Sequence, residues 1–282
     1  MGGHAAGDLD RGRVFRVAPP GKRYEVPAID LKTAEGAVAA LQSPNSATRY
    51  LAWTALQTMG ADAEKSLVAL WKQSDNPRMR ARALWVLGKM PGKGPAYVQE
   101  AIRDQDADLR CVGVRLARQL NVDLIPVVAS LVADPSAAVL RECAIALRFS
   151  NSADAPKHWA ALAKRFDGND RWYLESLGIG AERQWDACLR SWIDLVGDWN
   201  TPVGREIVWR SRASFTPKLL AEIVQTQGIS AGELPKYMRA FDFQGGPLKN
   251  DALLTLAFGK IPGDAEAVKQ VDRKSTRLNS SH

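Results

Sequence analysis

Five arginines, Arg49, Arg80, Arg110, Arg141 and Arg171, follow one another at intervals of 31, 30, 31 and 30 residues. No other feature limits the fold as much. A fixed period near thirty, with no glycine-rich or β-alternating stretch between the marks, is the signature of stacked two-helix units. Each unit is too small to bury its apolar face alone and must lean on the next.

The text around each arginine repeats. Thr48-Arg49-Tyr50-Leu51-Ala52 aligns with Met79-Arg80-Ala81-Arg82-Ala83, then with Leu109-Arg110 followed by Gly113, and with Leu140-Arg141 followed by Ala144. Small residues three after the arginine and apolar ones near seven after it form an i, i+3, i+4 stripe for a partner helix. Turn residues precede each copy: Ser43-Pro44-Asn45, Ser74-Asp75-Asn76-Pro77, Asp104-Gln105-Asp106, Asp134-Pro135-Ser136 and Asp167-Gly168-Asn169. Their side-chain oxygens suit the orphan N–H groups of the coming helix, and proline suits its first turn.

The spacing predicts a first helix in each unit from the stripes Ala34, Ala37, Val38, Leu41; Leu67, Leu70, Trp71; Val98, Ala101, Ile102; Ile125, Val128, Ala129, Val132; and Trp159, Leu162, Ala163, Phe166. The period then loosens. Further units are expected with second helices at Arg205 to Trp209 and Arg239 to Phe241, and first helices around Cys188 to Val196 and Pro217 to Val224.

This pattern resembles the HEAT repeat family, whose second helix opens on an arginine preceded by an acidic turn residue. Asp104 lies six before Arg110, Asp134 lies seven before Arg141, and Ser43 and Ser74 hold the equivalent place in the first two copies. The resemblance spans about residues 32–264 and implies an all-α, HEAT-like α-solenoid of about seven to eight two-helix repeats. The five arginines are expected to form an internal structural ladder, bonding to acidic or carbonyl groups of the adjacent loop.

A narrower resemblance follows. Asp170-Arg171-Trp172-Tyr173-Leu174-Glu175-Ser176-Leu177-Gly178-Ile179-Gly180-Ala181, with Glu206-Ile207-Val208-Trp209-Arg210 and Arg239-Ala240-Phe241-Asp242-Phe243 downstream, resembles the helical segment of planctomycete and verrucomicrobial membrane-bound dehydrogenase-like proteins. Those proteins carry a β-propeller, then HEAT repeats, then a c-type cytochrome domain. On that resemblance residues 1–31 are a short extended or β remnant of an upstream propeller and its linker, with alternation from Arg13 to Val17 and a Pro20-Gly21 breaker. Residues 32–264 are the solenoid, and 265–282 a disordered end whose segment 272–282 resembles a translated sequencing adapter and is expected to be non-native. The expectation is a piece of a longer, extracytoplasmic or periplasmic protein. Haem c is implied only in a region downstream of this chain, and no cofactor is expected within it.

The basic excess is mild. Thirty-eight basic residues face 31 acidic ones, and removing the segment 272–282 leaves 35 against 30. Both signs are interspersed rather than gathered on one stretch, which disfavours nucleic acid. No run approaches the roughly 18 apolar residues of a membrane span. Cys111, Cys143 and Cys188 have no Cys-x-x-Cys spacing, so buried free thiols are expected in place of a metal or disulfide site.

Two motifs imitate sites. Asp104-x-Asp106-x-Asp108 opens like a calcium loop, but Leu109 stands where the turn glycine belongs and Arg115 where the bidentate glutamate belongs, so it reads as a capping turn. Gly178-Ile179-Gly180 imitates part of a dinucleotide fingerprint but follows a helix, and reads as a helix end with a left-handed glycine cap. Trp185, Trp192 and Trp199 recur at sevens and are expected to pack between repeats, with the helix ending before the third.

The resulting expectation is a non-catalytic helical-repeat scaffold, spacer and protein-interaction segment, its partners being other proteins or neighbouring domains of the parent chain. One alternative is a HEAT-type DNA-binding enzyme resembling the glycosylases, for which Asp170, Arg171 and Trp172 are candidates. Another is a stand-alone peptide-binding solenoid.

Overall fold

A computed structural model of the chain describes residues 20–21, 27–227 and 229–258. The expected strand remnant and the segment 265–282 therefore lie almost wholly outside the described residues, and Pro27–Leu31 runs into the first helix without regular structure.

Among the described residues there is no strand. The helices are α1 (Ala34–Leu41), α2 (Ser46–Met59), α3 (Glu64–Gln73), α4 (Pro77–Gly88), α5 (Gly94–Ala101), α6 (Ala107–Gln119), α7 (Leu124–Leu131) and α8 (Ala137–Ala146). They continue as α9 (Ala155–Lys164), α10 (Arg171–Gly180), α11 (Trp185–Val196), α12 (Pro202–Arg210), α13 (Thr216–Gln225), α14 (Leu234–Ala240) and α15 (Pro247–Phe258). Short 3-10 turns follow α2 and α14. Taken in chain order, α1 to α14 make seven pairs, and α15 packs on α13 as the first helix of an eighth. The second helices, α2 through α14, touch one another in an unbroken row.

The turn residues start the helices. Asn45 Oδ1 accepts from the Ala47 amide at 2.8 Å, Asn76 from Arg78 at 3.0 Å, Asp106 from Asp108 at 2.8 Å and Thr201 from Gly204 at 3.1 Å. Pro77 and Pro202 occupy first turns whose N–H groups have no intrahelical acceptor. Ser136 caps α8 by backbone position alone, without a side-chain bond.

The core is a continuous apolar seam between the two helix rows. Trp71, Leu84, Leu109, Leu116, Trp159 and Leu162 are fully buried, each such side chain contributing about 1.5–3 kcal/mol of transfer free energy. The Trp159 indole N–H donates to the Leu177 carbonyl at 2.9 Å and the Tyr173 hydroxyl to that of Leu162 at 2.9 Å, so α9 and α10 are tied by polar bonds inside the apolar seam. Trp185 meets Trp159 edge to face, Trp192 is buried on α11, and Trp199 lies past the Gly197 that ends that helix.

Three local expectations are corrected. In α7 the buried residues are Val127, Val128 and Leu131, while Ala129 is exposed; the helix is so nearly all apolar that composition does not fix its phase. Arg239 sits in the last turn of α14, not at its start, because Glu233 and Pro235 begin that helix earlier. α10 does end at Gly180, as expected, but neither Gly178 nor Gly180 is a left-handed cap: both keep helical backbone, and the left-handed residue after the helix is Arg183, at φ 68°. What requires glycine there is close approach. A Cβ on Gly180 would stand 2.2 Å from the Ala144 carbonyl oxygen of α8, and one on Gly178 would stand 2.4 Å from the Arg210 guanidinium.

Candidate functional site

The periodic arginines occupy the edge of the stack where successive turns lie side by side. Arg110 shows the full arrangement. Its Nη1 donates to the Asp104 and Gln105 carbonyls of its own turn, both at 2.9 Å, and its Nε and Nη2 reach the two carboxylate oxygens of Asp134 in the following turn at 2.7 and 2.9 Å. Such a fork-to-fork contact fixes direction as well as charge. Arg80 donates Nε to the Trp71 carbonyl at 2.8 Å and pairs with Asp104, and Arg141 pairs with Asp170.

Each carboxylate also braces its own turn. Asp104 accepts from the Asp106 amide at 2.9 Å and Asp134 from the Ser136 amide at 2.8 Å. Ser43 and Ser74 do the same through Oγ, accepting from Asn45 and Asn76 at 3.1 and 3.2 Å. One position, two residues before the helix cap, is thus serine in the first two layers and aspartate in the next two. In the fifth layer Gly168 stands there, and Asp170 takes over: it caps α10 through the Tyr173 amide at 3.1 Å while holding Arg141.

The ladder therefore has three closed rungs and two open ends. Arg49 donates to the Ser43 and Pro44 carbonyls at 2.9 and 2.6 Å and meets no carboxylate among the described residues, Ser74 standing at the place that Asp104 holds one layer on. Arg171 departs from the ladder altogether. It is largely exposed, pairs with Glu175 on its own helix and lies 5.2 Å over the Trp209 ring. The reason lies 29 residues on, at the place that Asp170 holds relative to Arg141. The residue there is Asn200, whose neutral Oδ1 is taken by Arg205 Nε at 2.7 Å.

Electrostatics follow the geometry. Burial opposes the charge of Asp134, but the Arg110 fork and the Ser136 amide outweigh it and hold its carboxyl below the usual range. The Asp134 hydrogen bond pushes Arg110 up. Asp104, Asp106 and Asp108 are thus absorbed by rung, cap and first turn, and no group of His, Cys, Asp and Glu arranged to hold a metal occurs among the described residues.

A second set of contacts runs along the row of second helices, and nothing in the local sequence marks it. Arg115 on α6 pairs with Glu142 on α8, Arg210 on α12 with Glu175 on α10 at 2.8 Å, and Lys236 on α14 with Glu206 on α12. Aromatic rings sit among them. Trp209 lies between Arg171 and Lys236, Lys89 covers Trp53, and Arg148 and Arg183 both cover Phe149. Trp172 is exposed on α10. Cys111, Cys143 and Cys188 are buried free thiols, and burial pushes Cys111 up to about 11, Cys188 to about 12 and Cys143 further, away from nucleophilic use. Asp170, the candidate acid of the DNA-enzyme alternative, is engaged by the α10 cap and by Arg141.

A family model described as HEAT repeats matches residues 34–110. A solved structure described as that of an engineered protein aligns with 88% of this chain and 78% of its own at 14% identity, with a TM-score of 0.36; at that score the likeness bears on neither fold nor function. No curated protein matches the chain. The helical pairs make the described residues an all-α solenoid, of which residues 34–110 match HEAT repeats, a repeat type that suggests a scaffold or protein-interaction role. No described helix is long and apolar enough to cross a membrane.

Proposed function

We propose that this chain is the non-catalytic spacer and protein-interaction segment of a larger dehydrogenase-like, haem-carrying protein. In that protein a propeller precedes it, residues 32–264 form the solenoid, and a cytochrome domain follows. The observation that carries the scaffold part is the clipped ladder. Each closed rung joins one layer's guanidinium to the next layer's turn, which ties successive layers together along that edge. The parentage rests on the resemblance of Asp170 to Ala181, Glu206 to Arg210 and Arg239 to Phe243. A c-type haem, the extracytoplasmic setting and the non-native segment 272–282 belong to the same proposal.

The uninterrupted genomic reading frame tests it. Blade-like repeats upstream in frame and a Cys-x-x-Cys-His motif downstream are expected. Stop codons close on both sides, with neither module in frame, would refute the parentage and leave a stand-alone solenoid.

A further inference from the structure

We infer that Arg49, Arg78 and Arg82 form a docking site for a carboxylate, an aspartate or glutamate side chain presented by an acidic segment of a partner protein. Three observations bear on it. Arg49 Nη1 donates to the Ser43 and Pro44 carbonyls, and Arg82 Nη1 reaches from α4 to the Leu41 carbonyl at 3.1 Å. Both guanidiniums are therefore anchored on one four-residue stretch, Leu41 to Pro44. Arg78 lies one helical turn before Arg82 on the same helix and is exposed. None of the three makes an ion pair among the described residues, whereas Arg80, Arg110 and Arg141 each have a carboxylate. The Arg82 guanidinium is held below the usual arginine range, first by partial burial and then by the charges of Arg49 and Arg78.

The chain itself shows what would fit. At the place two before the helix cap, Asp104 and Asp134 supply a carboxylate to the preceding layer's arginine, while Ser74 offers only a hydroxyl already bonded to Asn76. Arg49 is thus a rung without its acid, and Arg78 and Arg82 add two further positive charges beside it. A guanidinium presents five N–H donors in a planar fork, and among the described residues most of those on these three find no acceptor. An incoming carboxylate would complete the rung in trans and lower the mutual repulsion of three like charges. The inference deepens the interaction role proposed above and is tested apart from it: the reading frame decides the parentage, and a binding measurement decides this site.

The experiment uses the full chain with fluorescein-labelled hexaglutamate and, separately, inorganic phosphate, both at low salt. The peptide is expected to bind, and the double variant Arg78→Gln/Arg82→Gln to weaken it about tenfold or more. Ser74→Asp, which supplies the missing acid in cis as Asp104 does one layer on, is expected to weaken the peptide comparably while raising the unfolding midpoint. Arg118→Gln, at an exposed arginine on α6 that makes no ion pair among the described residues, is expected to leave binding unchanged. Peptide affinity unaltered in both the double variant and Ser74→Asp, or no peptide binding at low salt, overturns the inference. Phosphate binding without peptide binding overturns the assignment to a carboxylate.

Discussion

Replacing Asp134 by asparagine removes one charge from the most enclosed rung while keeping its shape. The Asp134 side chain is 4% exposed and that of Arg110 is 13% exposed, so water replaces little of what is lost. Asparagine can still accept from the Ser136 amide, and the Asp104 and Gln105 carbonyls still hold Arg110 Nη1. What remains is a guanidinium with its fork half met. Stranding one partner of a buried pair costs about 3–5 kcal/mol, and the surviving carbonyl bonds place this variant at the lower end, about 3 kcal/mol. Urea unfolding followed by tryptophan fluorescence and by far-ultraviolet circular dichroism measures the loss, provided both probes and the slope agree between variants. The pH dependence supplies the sign. Asp134 has a lowered carboxyl pKa when folded, so its contribution is complete above the unfolded value of about 3.9 and fades as pH falls through the folded value. The stability gap between wild type and variant should therefore narrow as pH falls below the unfolded value. A loss under about 1 kcal/mol at pH 7, or a gap unchanged between pH 7 and pH 3, would refute a buried, charge-dependent rung.

Gly180→Ala places a methyl 2.2 Å from the Ala144 carbonyl oxygen, and since backbone cannot swing aside α8 and α10 must part, costing about 2–3 kcal/mol in the same urea titration. Gly178→Ala, which meets only the movable end of Arg210, should lose less than half as much, and equal losses would discredit the distinction. The three thiols should react with Ellman's reagent at pH 8 far more slowly in the native protein than in urea, with Cys111, the one at 5% exposure, first among them. Reaction of any of them at the rate of a free thiol would contradict their burial.

The sequence made the stacking legible because its causes are local. Asn76, Asp106 and Thr201 cap helices through bonds to residues two or three ahead, and a thirty-residue period needs no knowledge of the third dimension. What escaped depends on how layers rotate against one another. Arg141 and Arg171 stand beside similar text, yet one finds Asp170 and the other, with Asn200 at the equivalent place, pairs with Glu175 on its own helix; only the residue 29 positions on separates them. The second-helix pairs Arg115–Glu142 and Lys236–Glu206 join residues 27 and 30 apart for the same reason. Gly178 and Gly180 were misread because a glycine near a helix end is compatible both with a left-handed cap and with a tight crossing, and the neighbour that decides, Ala144 or Arg210, is distant in sequence. In α7 apolar residues surround most of the helix, and its buried side was decided by packing alone.

The serine-to-aspartate change along the turns has a mechanical side. Under a pull along the long axis, a stack clipped by three arginine–aspartate rungs between its second and fifth layers yields unevenly, first at a joint that no rung spans. One such joint is between the first and second layers, where Arg49 bonds only within its own turn and the crossing is made by Ser66 to Glu35, Gln57 to Val86 and Arg82 to Leu41. Bending at that joint would let the first layer swing while the layers from Arg80 to Asp170 keep their alignment.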